Sequence, residues 1–545
     1  MKKSSFVEGT VIATLAIIIT KIMGMLYVIP FYAIVGVQGS ALYAYAYSIY
    51  NIFLDISSAG LPIAISKIIN EYNTLGMMDA KIRAYHIGKK IMGMLAVSIF
   101  ILLFWFAPQI ATILIHDMKG GNTIADVTFA IRCVSFAILI VPFLSVEKGF
   151  LQGHKIINVS SISQVIEQIF RIAIILLGSY LTIKVFGGSV TLAVGIAVFG
   201  AFVSGVLAYA YVRYKVLKNK KELGFENKTV DDVSNKEIIK KIFSYAIPFI
   251  IINIVSSCYS FTDMTLILRT LNYLKLDTKT IEFATGAVAT WAPKINMIIA
   301  SIAMGMSTSF IPTMVSAYTL KDWDEVNNKF NQAIQMLLFI SIPMTLGICF
   351  LSQPIWSIFY GHNVYGGYIL GLNIWTGLCI NIYMITSSAL QGLNKFKLVY
   401  LSTITGFATN ALLDVPLMLL YNKIGIPPFL GAVTASIIGY SLSIIIALVS
   451  LRKDCNLKYK DTFKTLLKIL VPNIAMVVVL ILFKLILPLN LDSRVSCLIY
   501  VAINSIVGGI VYAVISFKMG LVTKIIGKAN TNKVLKKISF GKLSI

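Results

Sequence analysis

The chain has 545 residues, 57% of them hydrophobic and 13% charged, with a mean hydropathy of +0.84. Soluble domains run about 45–50% apolar with about a quarter of their residues charged. That excludes a soluble globular fold and predicts an all-α polytopic membrane protein. The formal charge of +24 is explained by positive loops on the cytoplasmic side, not by nucleic-acid binding.

Met1-Lys2-Lys3 precedes an apolar stretch that reaches about residue 35 with no small-residue cleavage site, so an uncleaved first helix is predicted over 9–35. A membrane span needs about 20 mostly apolar residues. Further stretches meeting that length are 41–66, 91–115, 128–147, 158–182, 190–212, 245–268, 286–318, 332–356, 367–393, 399–421, 429–451, 465–487 and 495–517, which makes fourteen. With the N-terminus inside, the cytoplasmic connections and adjoining helix ends carry 35 of the 47 Lys and Arg residues, and the outer loops carry 7. This asymmetry places both termini in the cytoplasm.

The longest polar interruption, Arg213–Lys241, holds nine basic and five acidic residues. It is predicted to be a solvated connector, with Ser234 and Glu237 as a capping box for a short helix leading into span seven. The tail Lys518–Ile545 carries seven lysines. It is predicted to lie along the anionic inner leaflet, at about 1 kcal/mol per lysine.

Three matches suggest an internal repeat. Leu151-Gln152-Gly153 recurs as Leu390-Gln391-Gly392, Gly188-Ser189-Val190-Thr191 as Gly431-Ala432-Val433-Thr434, and Pro62 with Ser66 as Pro312 with Ser316. The offsets are 239, 243 and 250 residues, in matching order. Six helices is an even number, so the halves share one orientation and form a parallel repeat with a site between them. The expected division is a first lobe over 1–213, a connector over 214–244, a second lobe over 245–452, two extra helices within 453–517 and the basic tail 518–545. Two lobes around a cavity form a transporter's architecture.

The chain has no phosphate-binding G-x-x-x-x-G-K-[ST] run. Its four histidines and six cysteines are scattered, without a nucleophile, zinc or disulfide pattern. No catalytic residue is therefore assigned, and an enzyme is not expected. The informative residues are ionisable groups within spans: Lys21, Asp55, Arg132, Glu167, Arg171, Asp263, Lys294 and Asp414. Facing lipid, each would cost about 2.5–3.5 kcal/mol, so they must face protein or a wet cavity. Glu167 and Arg171, four apart, are predicted to form a structural ion pair. Prolines 30, 62, 248, 293 and 312 are predicted to kink their helices.

A second set suits a small cation. Asn410 and Asp414 stand four apart on span eleven, Thr434 opens span twelve, and Asp263 lies in span seven. Carboxylate, amide and hydroxyl oxygens without His or Cys are hard ligands, fit for sodium. The alternatives are that Asp263 pairs with Lys294 or Arg269 and that Asn410 bridges helices.

The runs Lys21-Ile22-Met23-Gly24, Ala59-Gly60-Leu61-Pro62-Ile63-Ala64-Ile65-Ser66-Lys67, Gly149-Phe150-Leu151-Gln152-Gly153-His154 and Ser163-Gln164-Val165-Ile166-Glu167-Gln168 carry a family likeness. The chain resembles the lipid II flippases of the MurJ and SpoVB type, in the multidrug/oligosaccharidyl-lipid/polysaccharide exporter superfamily, over all fourteen spans. The resemblance implies two six-helix lobes around a V-shaped cavity, with the last two helices forming a groove for a lipid tail. It implies a monomer in the bacterial cytoplasmic membrane whose partner is lipid II or a related undecaprenyl-diphosphate glycan. Position by position, the family's phosphate-contacting bases match Lys21 and Lys294, and its proposed sodium ligands match Asp263, Asn410, Asp414 and Thr434. The family's second first-helix arginine falls at Tyr27, and its second-helix arginines at Leu54 and Asp55. Arg132 is expected to compensate in a cavity formed with Lys21, Lys294 and Asp55. The alternative is that each lysine merely pairs with a carboxylate such as Asp55. Other function classes kept open are export of a different polysaccharide-lipid unit and drug/cation antiport.

Overall fold

The computed structural model describes residues 19–526 apart from 59, 116–120, 155, 227–230 and 487–490. The start of the first predicted span and most of the basic tail lie outside these residues. All regular structure among the described residues is helical, and twelve segments there are long and apolar enough to cross a membrane. The protein is an all-α, multi-pass membrane protein.

The chain folds into two compact units, 1–294 with 414–420, and 295–413 with 421–545. The first contains α1 (Val28–Ser58), α2 (Leu61–Thr74), α3 (Met78–Trp105), α4 (Ala107–Ile115), α5 (Ile124–Gly153), α6 (Ile157–Ala173), α7 (Val190–Lys218), α8 (Asn235–Tyr273) and α9 (Thr278–Gly286). After a π-helical turn, α10 (Ala292–Thr319) leads into the second unit. There follow α11 (Trp323–Phe350), α12 (Ser352–Tyr360), α13 (Val364–Gly392), α14 (Phe396–Lys423), α15 (Phe429–Cys455), α16 (Lys460–Ile486), α17 (Arg494–Lys518) and α18 (Leu521–Ile526). Residues 414–420 of α14 belong to the first unit.

Several predicted boundaries are corrected. The first of the twelve segments, Ile19–Asp55, takes in the described part of the first predicted span and more than half of the second. It is broken at Gly36 (φ 66°, ψ −167°), a conformation that only glycine adopts without strain. Span eight corresponds to α10, a 28-residue helix that is not among the twelve. Spans two, three and nine each end early and restart as a new helix at Leu61, Ala107 and Ser352. Pro62, Pro108 and Pro354 sit in the first turns of these new helices, where a missing N–H leaves no hydrogen bond unmade. Pro62 thus opens a helix instead of kinking one. Pro312, its supposed repeat partner, lies inside α10. The two Leu-Gln-Gly runs do end α5 and α13 alike.

The core of the first unit explains the glycine-rich runs. Leu61, Ile65, Ile68 and Tyr72 of α2 pack with Tyr85 and Met92 of α3, Phe150 and Leu151 of α5, Val212 of α7 and Ile242 of α8. A Cβ added at Gly149 would come within 2.6 Å of the Pro62 carbonyl oxygen, and one at Gly153 within 2.8 Å of that of Ser66. Gly60 lies equally close to the backbone of Ala246 on α8. The Gly60-Leu61-Pro62 and Gly149-to-Gly153 runs are therefore two sides of one backbone-to-backbone contact.

The connector is docked, not solvated. Leu223 is buried, and Phe225 packs on Phe150 and Tyr85 with ring centroids 5.5 and 5.7 Å away. Asp231 accepts hydrogen bonds from the Ala80 amide (2.8 Å) and from Arg83 (2.5 Å). Ser234 does cap a helix, with its Oγ accepting from the Glu237 amide at 3.2 Å. That helix is the whole of α8, 39 residues long, and among the described residues no separate short helix leads into it. Of the tail, Leu521–Ile526 forms α18, whose Lys524 donates to Thr465 at 2.7 Å.

Gly149→Ala should force overpacking against Pro62, at about 1–3 kcal/mol. Gly347→Ala, where an added methyl meets no atom within 4 Å, should be neutral. Thermal unfolding of the two purified variants would separate them.

Candidate functional site

The helical turn that carries Lys21 ends at Tyr27. Its Gly24 packs against Gln168 of α6, where an added Cβ would lie 3.2 Å from Nε2. Opposite stands the π-helical turn Ala287–Trp291, followed by Pro293 and Lys294. Proline has no N–H, so the Ala289 carbonyl loses its helical donor, and Ser260 Oγ of α8 donates to it at 3.1 Å. This substitution holds the start of α10 against α8.

Lys294 Nζ donates to Tyr27 Oη at 2.9 Å and lies 4.8 Å above the Tyr27 ring. Tyr27 Oη in turn lies 3.2 Å from Tyr43 Oη, and Tyr43 stacks on Trp291 with centroids 5.9 Å apart. Lys21 is near enough to Lys294 for the two ammonium groups to repel. Among the described residues no carboxylate lies within 4 Å of either lysine. Asp55 is not their partner, because it accepts a hydrogen bond from Ser257 of α8. Two lysines within electrostatic reach of each other, with no carboxylate beside them among the described residues, can hold an anion, and ammonium groups contact phosphate as mobile point charges.

Arg132 is placed otherwise than predicted. Its Nε donates to the Phe104 carbonyl at 3.2 Å, and its guanidinium lies 5.2 Å from the Phe104 ring. Phe104 is in the last turn of α3, whose carbonyls lack helical donors, so Arg132 caps that helix. Arg269 likewise donates to the Ile113 carbonyl in the last turn of α4, at 2.8 Å.

Glu167 pairs with Arg171, and its other oxygen receives Lys148 Nζ at 3.3 Å. A second such centre, not anticipated by the reading of the spans, lies at Glu147. That side chain is fully buried and accepts from Tyr85 Oη (2.7 Å), Lys89 Nζ (2.8 Å) and Arg213 (3.3 Å). The predicted span ended at this residue and so left it in the headgroup zone. The available signal was the adjacent acid and base, Glu147-Lys148, at a helix end.

The predicted cation ligands divide. The carboxyls of Asp263 on α8 and Asp414 on α14 lie side by side, and no amide, amine or hydroxyl donor reaches either Asp414 oxygen. Facing carboxylates need a proton or a cation between them. Asn410 is buried one turn earlier on α14. Thr434 donates to the Leu430 carbonyl and lies 3.0 Å from Tyr421 Oη.

The second unit holds an apolar cavity of about 420 Å³ between α11, α16 and α17. Pro343 leaves the Phe339 carbonyl without a helical donor, and Tyr512 Oη takes it at 2.6 Å. Gly347 and Gly509 line the cavity and leave open space where side chains would stand.

A model of the family described as polysaccharide biosynthesis protein matches residues 6–318, and one described as MatE matches 248–415. The chain is 31% identical over 539 residues to the lipid II flippase MurJ of Bacillus subtilis, covering 96% of this chain and 97% of that one. It superposes on a solved structure of lipid II flippase MurJ in an inward closed conformation with a TM-score of 0.64 and 17% identity, over 94% and 99% of the two chains. An inward-facing multidrug resistance transporter of the MATE family matches with a TM-score of 0.63 and 15% identity, over 81% and 98%.

Glu167→Ala should leave Arg171 and Lys148 buried without a counter-charge. The expected cost is about 3–5 kcal/mol, and it is measured as a fall in melting temperature larger than that for Lys148→Ala.

Proposed function

The chain belongs to the polysaccharide biosynthesis protein family that includes the lipid II flippase MurJ, and from that membership we propose that it flips a lipid-linked, diphosphate-bearing peptidoglycan precursor across the bacterial membrane. The observation that carries this reading is the lysine pair with no carboxylate beside it among the described residues. Lys21 and Lys294 hold the diphosphate, and Tyr27 fixes the Lys294 ammonium through one of its three donors. The apolar cavity beside α16 and α17 takes part of the polyprenyl tail. An antiporter for cationic drugs would need an acid-rich cavity, which this lysine pair does not supply. Export of another undecaprenyl-diphosphate glycan uses the same chemistry and is the second reading.

Transport proceeds by alternating access, with residues 1–213 rocking against 245–452 and the connector as tether. Because α8 packs on α1, α2 and α3, its contacts are the ones that change. No nucleotide or catalytic step is involved. Sodium is the coupling ion, with Asp263 and Asp414 supplying its charged ligands and Asn410 and Thr434 its neutral ones. The membrane potential favours its inward movement by about 2.3 kcal/mol per charge per 100 mV.

Lys21→Ala and Lys294→Ala should each abolish rescue of lipid II flipping in intact cells depleted of their own flippase, while the variants still insert in the membrane. Normal rescue by both would sink the anion site, and failure of the wild type with lipid II but success with another lipid-linked glycan would favour the second reading. Sodium should raise the melting temperature of the purified protein, and Asp414→Ala should remove that shift. A wild type that responds equally to sodium, potassium and choline would leave the paired carboxylates with a proton instead.

A further inference from the structure

We propose that Glu282 is a latch on the outer face that must release during transport, an inference that rests on the alternating-access reading above. Glu282 lies on α9, on the side that the Lys and Arg asymmetry assigns to the exterior, and only 3% of it is exposed. Its Oε1 accepts from the Asn122 amide at 2.6 Å and from Asn122 Nδ2 at 2.7 Å. The same Nδ2 donates to the Gln38 carbonyl at 2.9 Å. One carboxylate oxygen therefore ties α9 to the segment that enters α5, and Asn122 carries the link on to α1 just after its break at Gly36.

The neighbouring residue is shaped for this contact. Gly121 has φ +74°, and a Cβ there would strike the Glu282 carboxylate. Glycine is thus required both by the backbone conformation and by the space.

The chemistry is that of a releasable contact. Among the described residues the donors to Glu282 are neutral, and the charge that acts on it is the like-signed Asp126. A buried carboxylate without a counter-charge keeps much of its desolvation penalty. Burial pushes the Glu282 carboxyl above its ordinary range, and the Asn122 donors offset this only in part. Opening breaks the two bonds to Glu282 and returns the carboxylate to water, so closed and open states lie near in free energy. A permanent brace would gain more from an ion pair, as Glu167 does with Arg171 and Lys148. The Tyr45 hydroxyl, buried and without a partner, lies close enough to Glu282 to interact with it. It offers the carboxylate a donor when Asn122 departs.

Two measurements on the full chain test the latch. In hydrogen exchange, Glu282→Ala should speed exchange over residues 121–127 at least tenfold, whereas Glu282→Gln, which keeps an accepting oxygen, should stay within a fewfold of wild type. In cells, Asn122→Cys combined with Glu282→Cys should stop transport when oxidised and restore it when reduced. Unchanged exchange in Glu282→Ala overturns the latch, and so does wild-type transport by fully cross-linked protein. If the wild type moves no lipid-linked substrate, the flippase reading fails on its own, and the exchange comparison still decides whether Glu282 holds the outer segments.

Discussion

An ionised side chain in hydrocarbon costs about 2.5–3.5 kcal/mol on insertion scales and more when nothing pairs with it, and the interior of this protein is organised around that cost. Most of its buried charges are neutralised within the fold. Glu147 has two bases and a tyrosine, Glu167 has two bases, and the half-buried Arg132 caps a helix end. Against that background two places bring like charges together. Lys21 and Lys294 repel each other, and Asp263 and Asp414 face each other. Like charges held close inside a membrane protein lower their energy by binding something of the opposite sign. That is the physical ground for assigning one pair to an anion and the other to a cation.

The second constraint is backbone approach. Helices α2, α5 and α8 touch through Gly60, Gly149 and Gly153, where side chains would hold the backbones apart. Proline acts with glycine by freeing carbonyls that a neighbouring helix then satisfies. Ser260 takes Ala289 because of Pro293, and Tyr512 takes Phe339 because of Pro343. In each case a lost helical hydrogen bond becomes a contact between helices. One of these contacts sets the start of the helix that carries Lys294, and the other lies at the wall of the apolar cavity.

The docked connector shows how far composition misleads. A segment with nine bases and five acids has the composition of a solvated linker, yet Leu223, Phe225 and Asp231 seat it on α3 and α5. The three anchors stand at 223, 225 and 231, a spacing that matches no helical period.

Hydropathy, the asymmetry of Lys and Arg, and the rarity of charge within spans were enough to establish from sequence a multi-pass helical membrane protein with special ionisable groups. Each of these follows from the bilayer as solvent and acts on residues one at a time. The Glu167–Arg171 pair was legible for the same local reason, since four residues is one helical turn. Partnerships between helices were not legible. That Tyr27 meets Lys294, that Arg132 turns to Phe104 and that Asp414 meets Asp263 depends on side chains 28 to 267 positions apart. Such contacts are decided by kinks, glycine contacts and helix rotation, which shift a side chain from one face to another without altering the hydropathy that marks the helix.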